Sequence, residues 1–117
     1  MTHTKKRGYR IERKIRMMFE RHGWKTIRAG ASLGEADIVC IKKGKCILLQ
    51  VKSTKGKKFY YYEYMKPTLG GLPFFIVVDF GYGKIRISKP KKTLNTTEGM
   101  DLKRFLKRPI SAMKGLT

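Results

Sequence analysis

A chain of 117 residues with 28 Lys and Arg against 8 Asp and Glu carries a formal charge of +20. That excess goes beyond what solubility requires and points to a polyanionic partner, nucleic acid first. An apolar content of 41% suits the core of one domain; with no apolar run of spanning length, no isolated basic amphipathic helix and no signal-type segment in Met1–Arg7, a membrane role is not expected and a cytoplasmic location is.

The expected organisation is a single domain over residues 1–117. It has a basic arm at residues 1–7, in which Lys5, Lys6 and Arg7 serve DNA contact, and a loosely ordered tail from about residue 109. From about Gly8 to His22, Ile11, Ile15, Met18 and Phe19 recur at helical spacing, and Gly23 follows as a stop. Glu12 lies roughly 20° around the helix from Phe19, at the edge of the buried stripe. An acid there is either an exposed partner of Arg16 or a functional group. Glu20 faces solvent in this reading, and His22 satisfies carbonyls at the helix end. Trp24–Ala29 alternates as a first strand. In the small loop Gly30–Gly34, Ser32 and backbone N–H groups suit a phosphate contact or an ordinary turn, and Arg28 beside it is either a phosphate contact or an exposed strand residue.

The stretch Glu35–Ser53 reads as a hairpin around Lys43-Gly44, because glycine accepts the positive φ that a two-residue turn needs. Lys42 then faces Lys45, Ile41 faces Cys46, Val39 faces Leu48, Asp37 faces Gln50 and Glu35 faces Lys52. Opposed residues share a face and every second residue returns to it. Glu35, Asp37, Gln50 and Lys52 therefore crowd one end of a face that Val39, Ile41, Cys46 and Leu48 extend into the core. Polar groups at a core edge are costly unless they bind something. Cys40 and Cys46 project from opposite faces, which argues against a disulfide, and with His3 and His22 as the sole histidines there is no zinc set.

Ser53–Lys58 follows as a basic loop at the same end, bringing Lys55, Lys57 and Lys58 to the quartet for phosphate contact. Phe59–Met65 is the densest aromatic run and is expected to begin a short irregular or helical segment ending near Pro67. Its rings suit stacking on bases, covering a sheet face or a subunit contact. After Gly70-Gly71, Phe74–Phe80 reads as a buried strand with a structural Asp79, Gly81–Gly83 as a turn, and Lys84–Ser88 as an edge-proximal strand. A weak helix from Asp101 to Leu106 turns Leu102, Phe105 and Leu106 inward. There is no internal repeat, Walker or Rossmann fingerprint, or Ser/His/Asp set.

The order of these words resembles the PD-(D/E)xK nuclease superfamily, and within it the archaeal-type Holliday junction resolvases. The words are Lys6–Arg13, His22-Gly23-Trp24, Arg28–Ser32, Ala36–Val39 and Gln50-Val51-Lys52, with a fainter likeness through Phe74–Ser88 and Gly99–Leu102. The resemblance implies an α/β fold with a central mixed β-sheet flanked by helices, the restriction-endonuclease-like αβββαβ core. It implies a Mg²⁺-dependent endodeoxyribonuclease, with Mn²⁺ as a substitute, acting as a homodimer on four-way DNA junctions. Asp37 would be the core metal ligand, position 50 a second ligand, and Glu12 would complete the shell from the helix. Lys52 would orient or activate the attacking water. Arg13, Arg28 and Ser32 fall where such enzymes contact DNA or the transition state, and Arg10 is a further candidate for DNA contact.

Gln50 departs from the pattern, which expects Glu. A carboxamide oxygen still ligates Mg²⁺ but adds no charge, so metal affinity should fall. Glu35 is the candidate compensating acid, and transposon-end nuclease subunits of the superfamily are similar in using Gln here. Two other functions remain compatible with the charge: a non-cleaving junction-binding protein on a nuclease scaffold, and a basic RNA-binding protein, which leaves Glu12, Asp37 and Lys52 unexplained.

Overall fold

The computed structural model describes residues 2–29 and 34–108, with side chains described from residue 8 onward. Helix α1 spans Thr2–Arg21. The stretch expected as a basic arm is therefore its first turns, since Lys and Arg are good helix formers and Gly8 inside a helix costs only about 1 kcal/mol. The helix ends where Gly23 takes φ 87°, and His22 Nδ1 lies 3.0 Å from Met18 O, meeting a terminal carbonyl as expected.

Strands β1 (Lys25–Arg28), β2 (Ile38–Lys42) and β3 (Lys45–Ser53) form an antiparallel meander. The chain then runs through β4 (Lys58–Tyr60) and β5 (Thr68–Leu69) to β6 (Leu72–Asp79), which pairs parallel to β3. Next come β7 (Ile85–Ser88), β8 (Thr93–Asn95), β9 (Met100–Asp101) and helix α2 (Leu102–Lys107). The mixed sheet has the order β1-β2-β3-β6-β7-β9, with β5 paired to β6, and β4 pairs β8 in a separate two-stranded sheet. The central pair β3 and β6 is buried from both sides, as parallel strands require.

One face of the sheet is closed by helices. Ile15 and Phe19 of α1 and Leu102, Phe105 and Leu106 of α2 pack on Ile38, Cys40, Leu49, Phe75 and Val77. Asp101 caps α2 by accepting the Arg104 N–H at 3.2 Å. The opposite face, Leu48, Phe74, Ile76 and Val78, is covered by Tyr61, Leu94, Phe59 and Tyr64. The crossover between β3 and β6 is thus a strand and an extended aromatic segment rather than a helix. Its aromatic side chains have low helix propensity, and the β4–β8 ladder gives its backbone long-range partners such as Phe59↔Leu94.

Both cysteines are free, and burial raises the Cys40 thiol far above its ordinary value. Among the described residues, no helix is long and apolar enough to cross a membrane. Ser32 and the tail from residue 109 lie outside the described residues, as do the side chains of Lys5, Lys6 and Arg7.

Candidate active site

The hairpin turn has both central residues at positive φ, Lys43 at 46° and Gly44 at 79°, and it sets the register Lys42↔Lys45, Ile41↔Cys46 and Val39↔Leu48. The ladder ends at Ile38↔Leu49. Beyond it Asp37 is held on three sides. Its N–H donates to Leu49 O at 2.8 Å, its C=O accepts the Ala29 N–H at 2.9 Å, and its Oδ2 accepts the Val51 N–H at 2.8 Å. Oδ1 has no hydrogen-bond partner among the described residues.

Burial raises the Asp37 carboxyl above its ordinary value. The Val51 N–H opposes that shift, Glu12 adds to it, Lys52 lowers it, and Glu63 raises it again. A partly desolvated acid flanked by two more acids is an environment that favours a cation. Glu12 is the acid that α1 contributes. Its partner is Arg28, Nε to Oε1 at 3.4 Å, rather than Arg16, whose Nε bonds Thr26 Oγ1 at 3.2 Å. The Arg28 guanidinium also lies 4.9 Å from the Tyr9 ring centroid. Glu20 is exposed but accepts the Thr26 hydroxyl at 2.5 Å.

Gln50 is only 5% exposed, and both ends of its carboxamide are engaged. The Tyr61 hydroxyl donates to Oε1 at 2.5 Å, and Nε2 donates to Glu63 Oε1 at 3.0 Å. Only the amine end can donate to a carboxylate, so these partners fix the amide's orientation. The other Glu63 oxygen, Oε2, meets Lys52 Nζ at 2.5 Å. Burial, and then Glu63, raise the Tyr61 phenol above its usual range, so it stays a donor.

Two expected pairings lie beyond the ladder: Asp37 meets Leu49 O and the Val51 N–H rather than pairing with Gln50, and Glu35 does not face Lys52. The ladder stops at Ile38, so Gly34 and Glu35 curl into a turn instead of continuing the strand. Glu35 is exposed and makes no ion pair among the described residues, and the Lys52 ammonium turns to Glu63 instead. Glu63 and Tyr61 are the site residues that sequence reasoning missed. The one signal for Glu63 was a lone acid inside an aromatic run.

Glu12, Asp37, Gln50, Lys52 and Glu63 thus converge where β3 ends. Among the described residues, no three His, Cys, Asp or Glu approach closely enough to enclose a metal ion. The donors are nonetheless oxygens, with Asp37 Oδ1 unpartnered among the described residues and further acids within electrostatic reach. That set fits Mg²⁺ or Mn²⁺, for Mg²⁺ keeps several waters and needs one or two carboxylates, whereas the nitrogen and sulfur ligands preferred by zinc are missing from this group.

Two basic hollows lie on the described surface, the first reaching Ser53, next to Lys52 in the chain. A cavity of about 550 Å³ includes Arg10, Ser53, Lys55 and Tyr82 in its walls, and the Tyr82 ring is fully exposed. A groove of about 590 Å³ shares Arg10 and adds Arg13, Lys14, Arg21, Lys103 and Lys107. Lys57 and Lys58 are exposed, the latter with Nζ 5.8 Å from the Tyr60 ring centroid.

Residues 3–67 match the family described as archaeal Holliday junction resolvase (hjc). The crossover junction endodeoxyribonuclease Hjc of Methanocaldococcus jannaschii is 30% identical over 60 residues, which cover 51% of this chain and 44% of that protein. The match therefore spans less than half of the relative's length. The structure of Archaeoglobus fulgidus Hjc, a Holliday junction resolvase, superposes with a TM-score of 0.64 at 14% identity, covering 89% of this chain and 98% of that one, and shares the fold. With the family matched over more than half of its residues, the chain belongs to the archaeal Holliday junction resolvases.

Proposed function

We propose that this protein hydrolyses phosphodiester bonds in four-way DNA junctions as a Mg²⁺-dependent endonuclease, with Mn²⁺ able to substitute, and that it works as a homodimer. The observation that carries this reading is Asp37: a fixed, partly buried carboxylate with one oxygen free of hydrogen bonds among the described residues, with Glu12, Glu63 and Lys52 within electrostatic reach. Family membership supports it.

A divalent cation bound there would stabilise charge developing on the phosphate and lower the pKa of a bound water. Asp37 holds that cation, the Gln50 carbonyl is a neutral donor, and Glu12 completes the shell from α1. Lys52 orients the attacking water. Arg10, Arg13, Arg28, Lys55, Lys57 and Lys58 bind the DNA backbone, together with Ser32 and the basic start of α1 through Lys5, Lys6 and Arg7. Phosphate contacts read junction shape rather than sequence. Paired cuts on a nearly symmetric junction need two sites, which a two-fold dimer supplies.

The test is incubation of labelled junction, duplex and single strand with the protein in Mg²⁺ and in EDTA. Paired cuts confined to the junction and lost in EDTA are expected; no metal-dependent cut in any substrate removes the enzyme reading. One observation favours a second reading, a junction-binding protein that does not cleave: the Gln50 carbonyl is already occupied by the Tyr61 hydroxyl. Salt-sensitive junction binding without nicking in the same assay selects it.

A further inference from the structure

Resting on the metal-dependent reading above, we propose that Glu63 supplies the carboxylate charge that position 50 lacks, so that the cation's second negative charge comes from the crossover segment while β3 contributes a neutral residue. Both oxygens of Glu63 point into the site, Oε1 to Gln50 Nε2 at 3.0 Å and Oε2 to Lys52 Nζ at 2.5 Å. This arrangement depends on a neutral residue at position 50. A glutamate there would set two carboxylates at hydrogen-bonding distance, and like charges so close do not both ionise readily. Gln50 is thus the positioning residue for Glu63, donating the bond that aims it.

The support behind that contact is buried, although the Glu63 side chain itself is 44% exposed. Tyr61, 1% exposed, donates to the far end of the same carboxamide, and its own N–H donates to Lys92 O at 2.8 Å. The crossover therefore holds Glu63 through a buried tyrosine rather than a free loop. Asp37 with Glu63 brings the same two negative charges that Asp with a β3 glutamate would bring. Glu35, the acid nearest in sequence to Asp37 on its N-terminal side, lies within electrostatic reach of Tyr61 but makes no hydrogen bond or ion pair with these groups among the described residues.

The test measures Mn²⁺ affinity of DNA-free protein by electron paramagnetic resonance, with thermal melts to confirm folding. Glu63→Gln is expected to weaken binding by about tenfold or more. Moving the charge back with the double variant Gln50→Glu/Glu63→Gln should restore it to within about threefold, and Glu35→Gln should leave it unchanged. If Glu63 merely pins Lys52, Glu63→Gln keeps a hydrogen bond to the ammonium and Mn²⁺ affinity does not move. Wild-type affinity in Glu63→Gln alongside lost binding in Asp37→Asn overturns the role of Glu63 and leaves the metal reading standing. Failure of the double variant to regain affinity also overturns the transfer of charge. Unchanged binding in Asp37→Asn defeats the metal reading itself.

Discussion

Asp37 and Asp79 lie close to the ends of the parallel strands β3 and β6, yet their surroundings differ in kind. Asp79 is neutralised: Oδ1 accepts the Gly81 N–H at 2.8 Å, Oδ2 meets Lys14 Nζ at 3.2 Å, and its carbonyl accepts the Thr54 N–H at 3.0 Å. Asp37 receives one backbone N–H on its side chain and has Glu12 and Glu63 within electrostatic reach. The first carboxylate closes a turn. The second holds unresolved charge, and a folded protein retains such an acid where a ligand completes it.

Removing each charge separates the two roles. Asp37→Asn should cut junction cleavage by about 100-fold or more, because it removes the main anchor for charge stabilisation. The same variant should raise Tm at neutral pH. The sign follows from linkage: the folded pKa of Asp37 is raised above its ordinary 3.8, so its contribution to stability is fully present below that value and is lost as pH rises through the folded pKa. The asparagine variant escapes this penalty, so its Tm advantage should be present at pH 7 and vanish on acidification. Melting curves of both proteins across pH check it, and a Tm below wild type at pH 7 would break the contrast.

Asp79→Ala should do the reverse, lowering stability by about 1–2 kcal/mol while leaving Mn²⁺ affinity unchanged. Most of that loss belongs to the Gly81 bond, since the Lys14 side chain is 49% exposed and its ion pair is screened. Denaturant titration with a Mn²⁺ binding curve measures both halves. The smallest effect lies on the basic rim that serves DNA in the proposed function. Lys55→Ala should reduce the slope of log affinity against log salt for junction binding by about 1, uniformly across sequences. A sequence-dependent loss would mean that Lys55 reads bases.

The site was legible wherever local rules governed it. Lys43-Gly44 fixed the hairpin register, and period two brought Gln50 and Lys52 to one face with the cover segment. Leu102, Phe105 and Leu106 were readable as the buried side of α2 because 3.6-residue spacing leaves no other stripe. Glu12 was readable as an acid at the edge of a buried stripe, but its partner was not: Arg28 comes from β1, sixteen residues on. The Glu35–Lys52 pair failed because period two carries no notice of where a ladder stops. Glu63 was hidden because its place depends on the path of the crossover, and that path depends on β8, a strand more than thirty residues further along the chain.

The amino-acid sequence by itself determined the charge, the turn that sets the hairpin and the placing of Gln50 and Lys52 on one face of β3. These follow from composition, from backbone sterics at Lys43-Gly44 and from side-chain alternation, all acting over a few residues. Tertiary structure alone decided which acid answers Gln50 and which aspartate, among the described residues, is left without an ion-pair partner. Those outcomes rest on contacts between segments distant in the chain, whose formation is set by the global packing of the sheet's second face and by the entropy of closing the loops between them.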